Sequence, residues 1–170
     1  KKFSYNKIFE TLKSFKKLNV LVLGELIIDK YTFGNVVGKS SKEPHLVLNQ
    51  NYKEYYIGGS GAIARHLNSF VKKIDLISPM GSEKFYGKLI SKSFSKNIRN
   101  HFLRNPKFNS TVVKERFIDE VSGYKLFGSY ILPDIRFSID EKKIIKKIES
   151  IKKRSNLIII TDYGHHFMTK

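Results

Sequence analysis

Asn19-Val-Leu-Val-Leu-Gly-Glu-Leu-Ile-Ile28, running on as Asp29-Lys-Tyr-Thr-Phe-Gly34, is the stretch whose reading decides the fold. Its first ten residues form a near-continuous apolar run of strand length, as in a parallel strand buried on both faces. Ile74–Ser78 and Leu157–Thr161 have the same character. Between them lie segments of helical period: Ser4–Lys17 with Ile8, Leu12 and Phe15 on one stripe, Ala62–Val71, and Lys84–Lys96. A further helix opens at Ser138-Ile-Asp-Glu141, which matches a capping box, and carries Ile144, Ile148 and Ile151 on one face. Two stretches break the alternation. In Gly34–Ile57, His45–Leu48 and Tyr52–Ile57 read as short exposed strands with polar turns between them. In Ser110–Ile131, Ser110–Asp119 and Lys125–Ile131 read as a hairpin around Ser122-Gly123. The pattern predicts an open, mostly parallel α/β sheet with helices on both faces and a small antiparallel accessory sheet.

In such sheets ligands bind beyond the carboxyl ends of the strands, which selects Glu25–Asp29, Pro79–Gly81 and Asp162–Gly164. Asp29 is placed either to accept hydrogen bonds from two sugar hydroxyls or to cap a turn. Gly58-Gly59-Ser60-Gly61 opens a helix, either as a tight turn or so that a ligand can approach bare backbone and free N–H groups. Lys114 and Arg116 stand two apart on a predicted strand and share a face, where they grip a phosphate or are simply solvated. Asp162 ends a strand, holding its loop or reaching a phosphate through a metal. His165 and His166 lack the second cluster that a metal site needs. Asn51-Tyr52-Lys53-Glu54 matches an N-x-x-E pattern but sits in a β insert and is read as coincidence.

The 170 residues predict one domain, and 41% hydrophobic residues are enough for a core. No cysteine is present, which excludes a disulfide scaffold and a Cys nucleophile. The apolar stretch Leu18–Ile28 is too short to span a bilayer and lacks a signal-peptide cleavage site, so a soluble, cytoplasmic protein is expected. The net charge of +17 by itself suggests a polyanion. Of the 32 basic residues 26 are Lys, beside 20 Ile and two Ala, and this is the usage of an A/T-rich coding sequence. The Lys residues are dispersed and no recognition motif accompanies them, so nucleic acid is not an expected partner.

Taken in order, VLVLGELIIDKYTFGN (20–35), SSKEPHLVL (40–48), GGSGAIARHL (58–67), IDLISPMG (74–81), TVVKERFI (111–118) and IIITDYG (158–164) resemble the amino-terminal half of the ribokinase-like (PfkB) carbohydrate kinases. Within that family they are most similar to the heptose-phosphate kinase domain of bifunctional ADP-heptose synthases. The resemblance implies a ribokinase-like sheet with a β lid built from about 34–57 and 110–131. It implies that Asp29, Gly58 and Gly59 contact the sugar, that Lys114 and Arg116 lie near the sugar phosphate, and that Asp162 lies near the phosphoryl donor. It also implies ATP and Mg²⁺ as cofactors, a sugar or sugar phosphate as small-molecule partner, a homodimer through the lid, and a place in lipopolysaccharide precursor synthesis.

Several positions depart from the family pattern. Ala62 replaces its Asn, Glu25 its Asp, and Gly128 an Arg on the lid strand. None of the 11 glycines forms the G-A-G-D loop that carries the family's catalytic base. No catalytic residue is therefore assigned, and residues 1–170 are expected to be part of a kinase domain, a fragment inactive by itself. The alternatives are a non-catalytic sugar- or nucleotide-sugar-binding remnant of a kinase–nucleotidyltransferase, and a basic nucleic-acid-binding module supported by charge alone.

Overall fold

The computed structural model describes residues 4–104, 110–133 and 141–168. In chain order its elements are α1 (Tyr5–Phe15), β1 (Asn19–Gly24), β2 (Leu26–Lys39), β3 (Leu46–Gly58), α2 (Gly59–Leu67), β4 (Lys73–Pro79), α3 (Lys84–Ser93), β5 (Ile98–Leu103), β6 (Val112–Asp119), β7 (Lys125–Ile131), α4 (Glu141–Lys152) and β8 (Leu157–Thr161). One sheet is wholly parallel, in the order β5-β4-β1-β8. Strand alternation sends Val20, Val22, Ile74 and Leu76 to one face, against Ala64 of α2 and Ile90 of α3. Leu21, Leu23 and Ile77 point the other way, against Ile148 and Ile151 of α4. Both faces of β1 and β4 are covered, so their apolar runs are continuous rather than alternating. β8, expected to be buried in the same way, stands at the end of the strand order and leaves Leu157, Ile158 and Ile160 exposed.

The second sheet is mixed, in the order β3-β2-β6-β7. Both expected antiparallel pairs are present, β2 with β3 and β6 with β7, and a parallel pairing of β2 with β6 joins them. Ile28, Ile57 and Val113 anchor this sheet in the main core, and Tyr55 meets Phe85 of α3 edge-on at 4.9 Å.

Several boundaries differ from those the sequence pattern predicts. Asn19–Ile28 is two strands, because the chain changes sheets at Gly24–Leu26; a Cβ on Gly24 would collide with the backbone and side chain of Thr161. The segments expected as two strands, His45–Leu48 and Tyr52–Ile57, are joined from Leu46 on into one strand, β3, whose polar middle, Asn49 to Asn51, is solvated rather than turned. α2 starts at Gly59, with Ser60 buried, and α3 stops at Ser93. β5 escapes the apolar pattern because it is an edge strand with only Ile98 buried. Ser4 caps α1, but Ile8 and Leu12 of the expected core stripe are exposed and Phe15 is half-buried. Phe70 is exposed as well, whereas Phe94 packs on the core. Ser138 lies outside the described residues.

Asp75 of β4, almost fully buried, ties α4 to the parallel sheet. It pairs with His101 Nε2 at 2.7 Å and accepts from Arg154 Nη2 at 3.1 Å. Burial pushes its carboxyl up, and the bonds from His101 and Arg154 outweigh burial and hold it below the ordinary value of 3.8. A depressed carboxylate contributes stability that is present above the unfolded value and is lost as pH falls through the folded one. Urea midpoints should therefore drop on acidification below about pH 4 more steeply for the wild type than for Asp75→Asn; parallel pH profiles would remove Asp75 from the acid response.

Candidate functional site

Register and alternation place three strands' side chains on one face of the second sheet. Asp29 lies between Tyr56 of β3 and Lys114 of β6, and Tyr31 lies between Glu54 and Arg116. Phe33 follows, between Tyr52 and Ile118. Asp29, Tyr31, Phe33, Glu54, Tyr56 and Ile118 line an open cleft of about 400 Å³. Arg116 Nη1 donates to Asp29 Oδ1 at 2.7 Å, and this bond raises the guanidinium further above its already high value. The guanidinium also lies 5.4 Å from the centre of the Tyr31 ring. Tyr56 Oη donates to Glu54 Oε2 at 2.7 Å, which raises the phenol. Phe33 and Tyr52 stack at 4.7 Å and extend the aromatic wall.

Asp29 is thus not just past the first strand but inside β2, paired on both sides. Gly58 is its direct neighbour, since a Cβ there would fall on the Asp29 carboxylate. Gly59 has φ +57, and its Cβ would meet the Glu25 carbonyl, so the glycine pair forms a tight turn and also makes room for Asp29. Lys114 and Arg116 share a face as expected. Arg116 is engaged by Asp29, whereas no carboxylate pairs with Lys114 among the described residues.

The strand ends selected by the binding rule are tied together. Leu26 N–H donates to Ser78 Oγ at 2.7 Å. The Glu25 carboxylate, fully buried, accepts from the backbone N–H groups of Tyr163 at 3.1 Å and Phe167 at 3.3 Å. The Glu25 carbonyl accepts from Ser60 N–H at 2.9 Å, and Ser60 Oγ donates to the Gly24 carbonyl at 3.0 Å. Glu83 holds Thr111 N–H at 2.8 Å, which fixes the start of β6. Asp162 is exposed and accepts from Gly164 N–H at 2.8 Å, the loop-holding alternative. His165 Nε2 is buried and meets no hydrogen-bond partner among the described residues; burial first, then the Lys114 charge, lowers its pKa. Among the described residues no three His, Asp or Glu side chains converge as a metal site. No phosphoryl-transfer step is derived from these residues.

Sequence reasoning missed Tyr31, Phe33, Tyr56 and Glu54. The signal was the period-two pattern Tyr52, Glu54, Tyr56 against Tyr31 and Phe33, visible once the two segments are paired.

No family model matches the chain. The bifunctional protein HldE of Aliarcobacter butzleri is 29% identical over 154 residues, covering 91% of this chain and 32% of the relative. HldE of Methylococcus capsulatus is 26% identical over 153 residues, 90% of this chain and 32% of the relative. Among solved structures, a carbohydrate kinase from Agrobacterium tumefaciens superposes with a TM-score of 0.68 at 13% identity, over 84% of this chain and 45% of that one. The ribokinase of Arabidopsis thaliana, solved with ribose and ATP, gives 0.52 at 12% identity, over 85% and 45%. The fold is ribokinase-like. The ribokinase-like chain is related in sequence to the HldE proteins and spans about a third of their length. No helix among its described residues is long and apolar enough to cross a membrane.

Because Glu25 holds the loop after β8, Glu25→Ala should release it. Amide exchange at Tyr163 and Phe167 should quicken by at least about tenfold, in line with the loss of a charge-assisted hydrogen bond at each. Unchanged protection at both amides would show that the loop is held by something else.

Proposed function

We propose that this chain is the sugar-binding half of an ATP-dependent carbohydrate kinase, acting on a sugar or a heptose-phosphate-like sugar phosphate for surface polysaccharide precursors. The observation that carries the reading is the Asp29–Arg116 pair set in an aromatic-walled cleft beside bare Gly58 backbone. Asp29 Oδ1 is held by Arg116, and its second oxygen remains to accept sugar hydroxyls. Tyr31 and Tyr56 offer ring surface to the apolar face of a sugar, and Lys114 offers a charge to its phosphate. The similarity to the HldE proteins supports the heptose assignment, with Ala62 where the family has Asn as the residue most suited to alter sugar preference. ATP and Mg²⁺ belong to the whole-kinase reading, as the donor and its charge neutraliser.

The second sheet leaves Phe127, Tyr130 and Ile131 of its outer strand β7 exposed, which supports a homodimer through the lid. Sedimentation equilibrium at micromolar concentration should read twice the 19.7 kDa chain mass, and Phe127→Glu should halve it. A monomeric wild type would remove the dimer without touching the sugar site.

Calorimetric titration with heptose 7-phosphate should give saturable binding that Asp29→Ala weakens by about tenfold or more, the loss of one charge-assisted contact. A coupled ADP-release assay on the same chain should read no sugar-dependent turnover. Sugar-dependent ADP release would overturn the inactive-half reading, and absent or Asp29-independent binding would overturn the sugar site.

A further inference from the structure

Glu54 is not among the residues that the family resemblance places on the sugar, yet its carboxylate lines the same cleft. Tyr56 Oη orients it at 2.7 Å, and Tyr31 stands directly across from it on β2. Its neighbour Lys53 projects to the opposite face, where its charge acts on Glu115. Lys30 is on that face too, paired with Glu115 at 2.9 Å. Among the described residues no cation pairs with Glu54.

The cleft is therefore polarised across the sheet. An unneutralised carboxylate stands on the β3 side and an unneutralised ammonium, Lys114, on the β6 side. The Asp29–Arg116 pair between them cancels its own charge. Two strand spacings and one two-residue step separate the backbones of Glu54 and Lys114, roughly 12 Å.

The geometry points to Glu54 as a specificity-determining residue that sets which end of the sugar lies where. It accepts hydroxyls from the uncharged end and repels an anion there, so a monophosphorylated sugar enters with its phosphate toward Lys114. A sugar carrying a phosphate at each end is disfavoured. This rests on the sugar-site reading above, and the test separates the two.

The experiment titrates the wild-type chain, Glu54→Gln and Lys114→Gln with heptose, heptose 7-phosphate and heptose 1,7-bisphosphate by calorimetry. The amide retains an acceptor for Tyr56 and removes only the charge. The wild type should bind the monophosphate more tightly than the bisphosphate by a factor on the order of ten, the size expected of one partly solvated charge contact. Glu54→Gln should bring the two within about threefold by removing that repulsion. Lys114→Gln should remove the preference for heptose 7-phosphate over heptose. An unchanged monophosphate-to-bisphosphate ratio in Glu54→Gln, with sugar binding intact, would overturn the role of Glu54 alone. Failure of the wild type to bind either heptose or its monophosphate would overturn the sugar site and this inference together.

Discussion

The chain leaves one sheet at Gly24 and enters the other at Leu26, and Glu25 sits at the crossing with no exposed surface. A carboxylate there is costly unless its oxygens are occupied. Both are, by N–H groups of Tyr163 and Phe167, 138 and 142 residues away. The Glu25 backbone carbonyl meanwhile receives Ser60 at the start of α2. One residue thus ties the crossing between the two sheets to the beginning of α2 and to the loop after β8. The cleft inherits that arrangement. β2 departs from Glu25 with Asp29 four residues on, and Gly58, which abuts Asp29, is the residue from which α2 starts.

How much of this is legible in the sequence depends on the range of the interaction. Strands buried on both faces announce themselves, because a continuous apolar run of strand length needs apolar surroundings on both sides. The same continuity hides the break inside Asn19–Ile28, since nothing local says that Gly24 faces Thr161 on a neighbouring strand. β3 reads as two pieces because its middle touches no core and so shows no alternation. The shared face of Lys114 and Arg116 is legible, because a period of two is a property of the backbone. Their unequal roles are not: Asp29 claims Arg116 across 87 residues of sequence. Glu54 reads locally as part of a chance N-x-x-E match, and only its position across from Tyr31 gives it a place in the cleft.

The large positive charge takes on a different meaning once charges are assigned to faces. The sheet face that carries the cleft sets Asp29 and Glu54 against Lys114 and Arg116, two of each sign. The surplus behind +17 therefore lies elsewhere, much of it on exposed helix surfaces such as the outer side of α4, whose sequence is EKKIIKKIESIK. A dispersed surplus raises solubility and general attraction to anions without selecting one. A balanced but polarised surface can discriminate by orientation where a uniformly basic one cannot.

On the proposed reading, the groups for binding and the groups for chemistry make separate demands on the chain. Asp29, Tyr31, Glu54, Tyr56, Lys114 and Arg116 all stand on β2, β3 and β6, whose spacing is set by backbone ladders within one sheet. Their mutual geometry requires no nucleotide and no further element, so the cleft is organised before any phosphoryl donor arrives. Transfer has a different requirement: a base, an anion hole and a metal must converge on the acceptor hydroxyl, and none of the 11 glycines stands in the G-A-G-D pattern that the resemblance associates with the base. On the proposed sugar-kinase reading, the second sheet would recognise the sugar and the carboxyl ends of the parallel strands would face the reaction. Glu25 sits at the crossing between the two sheets, whereas Glu54 stands on β3 within one of them.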